Sequence, residues 1–150
     1  MLEIKTVPEE LQSAVNEKGY DKLTAVQSLV LNPNNCGKDL LVSSQTGSGK
    51  TLAYGLSISC NGLQEILGEE SILKTLIVTP TRELALQVFN ELAWLFSKTT
   101  LTISTAIGGM DIKKERKNIF KGVDLLIGTP GRINDHIRRK TFNLNDLTSL

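Results

Sequence analysis

The chain has 150 residues, of which 40% are hydrophobic and 22% are charged, and its net charge is +1. These values are ordinary for one globular domain with a substantial core. No apolar run in the sequence is long enough to span a membrane, and the acidic N-terminal segment is unlike a signal peptide. We therefore expect an intracellular, cytoplasmic protein with no membrane partner.

The charge is unevenly distributed along the chain. Residues 1–97 contain 7 Lys/Arg and 11 Asp/Glu, whereas residues 98–150 contain 10 and 5. A basic C-terminal half fits a polyanionic partner, although a charged run is more often a solvated face.

Helices and strands are predicted to alternate. Helices are expected to open at Pro8 and Thr24, the first stopping at Gly19 and the second in the Pro33 region. Short apolar runs predict strands at 40–43, 75–79, 101–107 and 123–127, and residues 61–73 are predicted to form a loop. Continuous apolar strands between helices indicate a parallel sheet covered by helices on both faces.

Four more helices are expected between and after these strands. Leu52–Ser59 is predicted to be helical, and Thr81 is predicted to cap a helix that runs to about Lys98. Amphipathic spacing assigns these helices an inward side. The inward residues are Leu84, Val88, Leu92 and Leu95, then Ile112, Ile119 and Phe120 on a basic helix. A last helix carries Ile133 and Ile137.

Cysteine and histidine point to no site of their own. Cys36 and Cys60 lack metal-ligand spacing and are predicted to be isolated thiols in a reducing compartment, with Cys60 in the core. His136 is the single histidine, so we expect a solvated helix residue and neither a His-based metal site nor a catalytic triad.

Residues 44–51 read Ser-Gln-Thr-Gly-Ser-Gly-Lys-Thr, between a predicted strand and a predicted helix. This is the setting of a phosphate-binding loop. Glycines let successive N–H groups face one anion, and the helix N-terminus adds partial positive charge. Lys50 can then reach the β- and γ-phosphates, and the Thr51 hydroxyl can hold Mg²⁺. Ser44 stands where the strict pattern has glycine, and the alternative is a chance Gly/Ser turn.

Three other strand ends carry residue types that bind phosphate. Pro80-Thr81-Arg82, Gly108-Gly109 and Thr129-Pro130-Gly131-Arg132 each follow a predicted strand directly. Ligands of an open α/β sheet sit at the carboxyl ends of its strands. One strand end can therefore serve a nucleotide and the others a longer polyanion. The alternatives are plain turns for the glycines and, for Arg82, a carboxylate partner inside the domain.

These segments occur in the order found in one enzyme family. The ordered segments are Gly19-Tyr20, Thr24-Ala25-Val26-Gln27, the phosphate loop, Pro80-Thr81-Arg82-Glu83-Leu84-Ala85-Leu86-Gln87, Gly108-Gly109 and Thr129-Pro130-Gly131-Arg132. Over nearly its whole length the chain thus resembles the first RecA-like domain of DEAD-box ATP-dependent RNA helicases. The resemblance implies a three-layer α/β RecA-like P-loop NTPase domain with a mostly parallel central sheet, in which residues 1–35 carry the adenine-recognition (Q) motif.

The resemblance also implies an ATP site with Mg²⁺ held through Thr51. The implied contacts are Tyr20, Lys22, Gln27, Ser44, Gln45, Thr46, Gly47, Ser48, Gly49, Lys50 and Thr51. Gln27 would read the adenine edge, since an amide offers one donor and one acceptor. Residues 24–27 are also an S/T-x-x-Q capping box, and Tyr20 equally fits a half-buried packing role.

The implied partner is single-stranded or duplex RNA, held by its backbone. The implied contacts are Pro80, Thr81, Arg82, Gly108, Gly109, Thr129, Pro130, Gly131 and Arg132. Helix N-termini and arginine bind phosphate well, and such contacts position a strand without reading its sequence.

Two departures from the family concern the ATP site. The aromatic residue that stacks on adenine corresponds to Leu2, and Asp-Glu-Ala-Asp is absent. In the family that motif lies on the next strand of the sheet. The spacing of Leu144, Leu147 and Leu150 resembles the segment that leads into that strand. We therefore expect a first RecA-like domain at 1–150, incomplete at its C-terminal end, with no catalytic residue of its own. A second RecA-like domain is expected in the same parent chain.

Two other functions compete with this interpretation. A DNA-acting superfamily 2 ATPase or translocase would share the phosphate loop, and a non-catalytic module would bind nucleotide or RNA without turnover. Stimulation of ATP hydrolysis by RNA rather than DNA would argue against the DNA-acting enzyme. Hydrolysis of ATP under any condition would argue against the non-catalytic module.

Overall fold

The computed structural model describes residues 6–60 and 72–150, so the expectations for Leu2 and for most of the loop at 61–73 lie outside the described residues. The chain divides into two compact units. Residues 1–63 and 91–100 form the first, and residues 64–90 and 101–150 form the second. None of the described helices combines the length and apolar character needed to cross a membrane.

The first unit contains helices α1 (Glu9–Glu17), α2 (Ala25–Val30) and α3 (Lys50–Cys60), together with the end of α4 (Arg82–Leu95). Two acidic residues occupy the first turn of α1, where they complement the helix dipole. Gly19, at φ +73°, follows the end of α1 in the left-handed region. The predicted helices of this unit are confirmed.

Close packing joins α3 to the end of α4. At Gly55 a Cβ atom would overlap the terminal methyl groups of Leu92 and Leu95, so glycine allows these two side chains to pack directly on the backbone of α3. Leu92 and Leu95 are fully buried. The inward stripe predicted for α4 is confirmed here, but Leu84, at its other end, is 37% exposed.

The predicted strand at 40–43 is not formed. Residues 39–45 have no regular secondary structure, and Leu41 is fully exposed. A strand needs a neighbour to satisfy its N–H and C=O groups, and no described strand pairs with these residues. The prediction was wrong because it rested on a run of only three apolar residues.

Cys36 and Cys60 form a disulfide, with their Cα atoms 5.7 Å apart. The prediction of two isolated thiols was therefore wrong, and Cys60 is half-buried rather than in the core. The sequence holds 23 residues between the two cysteines, and only the fold of that segment brings them together. The bond ties the end of α3 to the turn that follows α2.

The second unit is built on a parallel three-stranded sheet. Its strands are β1 (Thr75–Val78), β2 (Ile103–Ala106) and β3 (Leu125–Gly128), in the order β1-β3-β2. In this register Leu125 lies beside both Thr75 and Ile103. All four residues of the central strand are buried. The prediction of a parallel sheet from continuous apolar runs is confirmed.

Helices α5 (Ile112–Phe120) and α6 (Pro130–Arg138) supply the remaining core of this unit. The core cluster consists of Leu73, Leu76, Ala106, Ile119, Val123, Leu126 and Ile133, with Phe142 and Leu147 packed against it. Phe120 was predicted to face inward but is 60% exposed. It directly follows the buried Ile119, and consecutive helical residues point to different sides of a helix.

The segment near Leu150 runs alongside β1. The Leu76 N–H donates to the carbonyl oxygen of Ser149 at 3.0 Å, and Ser149 forms a parallel bridge with Thr75. Parallel pairing therefore continues on the side of β1 away from β3, where the leucine spacing predicted an approach to a further strand.

Candidate nucleotide and nucleic-acid site

The phosphate loop precedes α3 directly, and its conformation depends on two glycines. Gly47 and Gly49 have φ values of +78° and +84°, the left-handed region that other residues rarely adopt. The Lys50 ammonium donates to the carbonyl oxygens of Ser44 at 2.7 Å and Gln45 at 2.6 Å. The loop thus curls around the lysine that begins the helix.

These residues fit a phosphate group. Nothing lies within 4 Å of a Cβ built on Gly47, so there is open space beside the loop at this residue. The N-terminus of the 11-residue α3 and the Lys50 ammonium both favour an anion at this place. Thr51 is in the first turn of α3 and is half-buried. A role of its hydroxyl as a ligand of Mg²⁺ stays a prediction.

Gln27 connects the start of α2 to the phosphate loop. Its Oε1 accepts from the Thr24 N–H at 2.9 Å, while the Gln27 N–H donates to Thr24 Oγ1, which completes a capping box. Its Nε2 donates to the carbonyl oxygen of Gly49 at 3.2 Å. The capping alternative is confirmed, and the bond to the loop is a contact that sequence reasoning missed.

Space at Gly49 explains why this position is glycine. A Cβ there would overlap the amide of Gln27, which is only 2% exposed. The Gln27 amide therefore sits against the loop backbone, and reading of adenine by Gln27 stays a prediction.

Tyr20 has an observed packing partner. Its ring is stacked on Trp94, with centroids 6.0 Å apart and an interplanar angle of 10°, and the Lys18 ammonium lies 5.3 Å from the Trp94 centroid. Tyr20 remains 44% exposed, and Lys22 is exposed as well. The packing role proposed as an alternative for Tyr20 is supported, and its contact with ATP stays a prediction.

The three candidate RNA loops begin at one edge of the sheet in the second unit. The Thr79 N–H donates to the carbonyl oxygen of Gly128 at 2.9 Å, and the Thr129 N–H donates to that of Ala106 at 3.1 Å. These bonds extend the pairing by one residue at the carboxyl ends of the strands. The segments that start at Pro80, Gly108 and Pro130 therefore leave from adjacent points.

Two of these loops touch directly. Thr81 caps α4 as predicted, because its Oγ1 accepts from the Leu84 N–H at 3.2 Å. The Arg82 guanidinium lies over Gly109, where a Cβ would overlap it, and Gly109 has a φ of +83°. Among the described residues no carboxylate forms an ion pair with Arg82, so an internal partner for it is not found there.

Arg132 lies in a network around Glu115. Its Nη1 donates to Glu115 Oε2 at 2.9 Å, and both Nη atoms donate to the Met110 carbonyl oxygen at 3.1 Å. A guanidinium has five N–H donors, so two remain for another acceptor. Two buried groups also contact Glu115. The Ile107 N–H lies 3.1 Å from Glu115 Oε1, and His136 Nε2 lies 2.9 Å from Glu115 Oε2.

The prediction that His136 is solvated was wrong. The side chain is fully buried, and its Nδ1 lies 3.2 Å from Thr141 Oγ1. Glu115 was not singled out from the sequence either. Its i+4 spacing from Ile119, on the inward side of α5, was the available signal, since a carboxylate at a core position requires buried partners.

Comparison with known proteins places these loops in a family. The sequence model of the DEAD/DEAH box helicase family matches residues 24–150. The chain belongs to that family. It is 41% identical to the ATP-dependent RNA helicase HAS1 of Chaetomium globosum, over 91% of this chain and 23% of HAS1. It is 36% identical to the ATP-dependent RNA helicase CshA of Listeria monocytogenes, over 95% of this chain and 26% of CshA.

A solved structure shows the same fold. A DEAD box protein from the hyperthermophile Methanococcus jannaschii aligns with a TM-score of 0.79 and 34% identity, over 94% of this chain and 38% of that one. The predicted RecA-like α/β class is thereby confirmed, with an incomplete sheet. This DEAD/DEAH box chain spans about a quarter of the length of the two curated relatives.

Proposed function

We propose that the protein containing this chain is an ATP-dependent RNA helicase, and that residues 1–150 provide one part of its ATP site and one part of its RNA-backbone site. The observation that carries the proposal is Lys50 at the start of α3, enclosed by a glycine loop whose backbone also binds Gln27. The same sequence carries the strand-end loops around Arg82 and Gly109.

ATP would be held by the predicted contacts in the first unit. Lys50 would exchange its two loop carbonyls for phosphate oxygens, and Thr51 would place its hydroxyl on Mg²⁺. When bound, ATP supplies the phosphoanhydride whose cleavage drives the enzyme. Gln27 keeps the loop in register through Gly49, and its amide retains one N–H and one lone pair for adenine.

RNA would be held by its phosphates at the strand ends of the second unit. The helices α4 and α6 begin there, and their N-terminal N–H groups attract anions. Arg82 is exposed and Arg132 has two spare donors, so each can bind a phosphate oxygen. Such contacts bind any sequence, as unwinding requires.

We further propose the wider organisation that the family implies. Residues 1–150 would be the first RecA-like domain, and a second such domain in the parent chain would close on ATP and RNA. Because Asp-Glu-Ala-Asp is absent from these residues, we expect them to bind without hydrolysis on their own. A cytoplasmic location agrees with ATP and RNA as ligands.

The test is ATP hydrolysis by the intact protein, with no nucleic acid, with single-stranded RNA and with DNA of matched length. Stimulation by RNA alone is the expected result. Stimulation by DNA would favour a DNA translocase instead. No hydrolysis under any condition, together with retained nucleotide binding, would leave a non-catalytic binding module.

A further inference from the structure

Helix α5 presents a basic and aromatic stripe on its exposed side. The stripe consists of Lys113, Arg116, Lys117, Phe120 and Lys121, which line one shallow groove. Their spacing of i, i+3, i+4, i+7 and i+8 places them on one face of the helix. The core-facing side of α5 carries Glu115 and Ile119 instead. We call these five residues the α5 stripe.

Phe120 is the unexpected member of the α5 stripe. Its neighbour Ile119 fills the core, while Phe120 is 60% exposed. The Arg116 guanidinium lies 5.1 Å from the centroid of the Phe120 ring. The phenyl ring and the guanidinium beside it are both planar groups at exposed positions. Nucleic-acid bases stack on both aromatic rings and guanidinium planes.

The positive charges of the α5 stripe lack partners among the described residues. The ion pairs found there involve Lys98, Arg132 and His136 only. The nearest carboxylates along α5 are already engaged, since Asp111 caps the helix through the Lys113 N–H and Glu115 binds Arg132 and His136. Four uncompensated cations on one helical face attract a polyanion.

The position of the α5 stripe selects the kind of polyanion. Helix α5 begins three residues after Gly109, in the loop that lies against Arg82. From Lys113 to Lys121 the stripe then extends about 12 Å away from that loop. A single strand leaving the candidate RNA loops along α5 would meet cations and a stacking surface in succession. An acidic peptide would use the cations but would leave the flat aromatic surface without a partner.

We propose that the α5 stripe is a second contact surface for single-stranded RNA, which binds a segment of the strand outside the strand-end loops. This inference rests on the proposed function. The stripe would lengthen the bound segment and raise the affinity for long strands, because its contacts become intramolecular once the first segment is bound. It would add little to the binding of a strand too short to reach it.

The test measures RNA binding by fluorescence anisotropy over a range of salt concentrations. The ligands are homopolymers of about 6 and about 16 nucleotides, near the two ends of common single-strand site sizes. The protein is the intact protein that contains this chain, as wild type and as Phe120→Leu, Lys117→Gln and Lys114→Gln. Lys114 is exposed on the same helix but outside the stripe, so Lys114→Gln is the matched control for Lys117→Gln.

For the long strand, we expect Phe120→Leu to weaken binding at least about 5-fold, the lower limit for loss of one stacking platform. We expect Lys117→Gln to reduce the slope of log K against log salt by about 0.7, while Lys114→Gln leaves the slope unchanged. The short strand should bind all four proteins equally. All three substitutions are at exposed positions, so the melting temperature should stay constant.

Two results would overturn the inference. In the first, every variant binds both strands with the affinity of the wild type. RNA binding at the strand-end loops would then stand, and the proposed role of the α5 stripe would be wrong. In the second, polyglutamate of matched charge competes with the long strand as well as RNA does, and Phe120→Leu has no effect on RNA affinity. The α5 stripe would then be a binding surface for an acidic protein. Failure of the wild type to bind either strand would instead remove the proposed RNA function together with this inference.

Discussion

The phosphate loop of the first unit and the strand-end loops of the second unit are held in different ways. The phosphate loop follows an irregular segment, and its fixed contacts are hydrogen bonds from the Lys50 and Gln27 side chains to its carbonyls. The strand-end loops begin on paired strands, and two of the three, those after β2 and β3, share the buried carboxylate of Glu115. We therefore expect the phosphate loop to change shape with its ligand, and the loops held by Glu115 to be fixed before a ligand arrives.

This contrast predicts different consequences of mutation in the two regions. Substitutions around Glu115 should cost folding stability, because they remove buried interactions. Substitutions at Lys50 should cost ligand binding with little effect on stability.

The largest effect is expected for Glu115→Ala. The substitution leaves Arg132 and His136 without their carboxylate and the Ile107 N–H without an acceptor. Breaking a buried pair from one side costs about 3–5 kcal/mol. Urea unfolding of the chain, followed by circular dichroism, measures the change. Glu83→Ala, at an exposed position on α4, is the control; an equal loss in both variants would contradict the role assigned to the network.

Lys50→Ala should come next, with an effect on nucleotide binding. Loss of one charge-assisted contact to phosphate is worth about 1.5–3 kcal/mol, so ATP affinity should fall at least about tenfold. Titration calorimetry with Mg²⁺ and ATP measures it, and Lys38→Ala, also in the first unit, controls for net charge. If ATP affinity is unchanged, the phosphate-loop assignment is wrong.

Gln27→Ala should lower both folding stability and nucleotide selectivity, each by a smaller amount. Loss of the capping box costs about 1 kcal/mol of stability, and loss of the amide should reduce the preference for ATP over GTP. Melting temperature and competition binding with the two nucleotides measure these separately. A lower melting temperature with unchanged selectivity would mean that capping and support of Gly49 are the whole role of Gln27.

The sequence predicted the two regions with unequal success, for a physical reason. The strands β1 and β3 are short, mostly apolar runs with buried residues and with neighbours in the same unit, so hydrophobic continuity was enough to identify them. In β2 only Ala106 is buried, and its prediction rested on the longer run at 101–107. The run at 40–43 has the same appearance, but a strand also depends on a partner, and partners are not visible in local sequence.

Long-range pairing accounts for the other errors as well. His136 looked like a solvated helix residue because its acceptor, Glu115, lies 21 positions away. Cys36 and Cys60 looked isolated because the fold of α2 and α3 brings them together. By contrast, the Thr24 and Gln27 capping box and the Thr81 cap involve residues three positions apart, and both were predicted correctly. Contacts between residues a few positions apart can be predicted from the sequence, whereas contacts between distant residues cannot.

The smallest effect is expected for Arg82→Ala, and it tests the second region most directly. Arg82 is exposed and lies over Gly109, so its removal should leave stability within about 0.5 kcal/mol. If the guanidinium binds phosphate, RNA affinity should fall a few-fold for every sequence, and the salt slope should decrease by about 0.7. Anisotropy titrations with two unrelated RNA sequences measure both quantities, with Arg138→Ala at the end of α6 as the control.

A loss of RNA affinity with an unchanged salt slope would mean that Arg82 only supports the loop at Gly109. The fixed loops of the second unit would then contact RNA through their backbone N–H groups, and the arginines would serve to hold those loops in place.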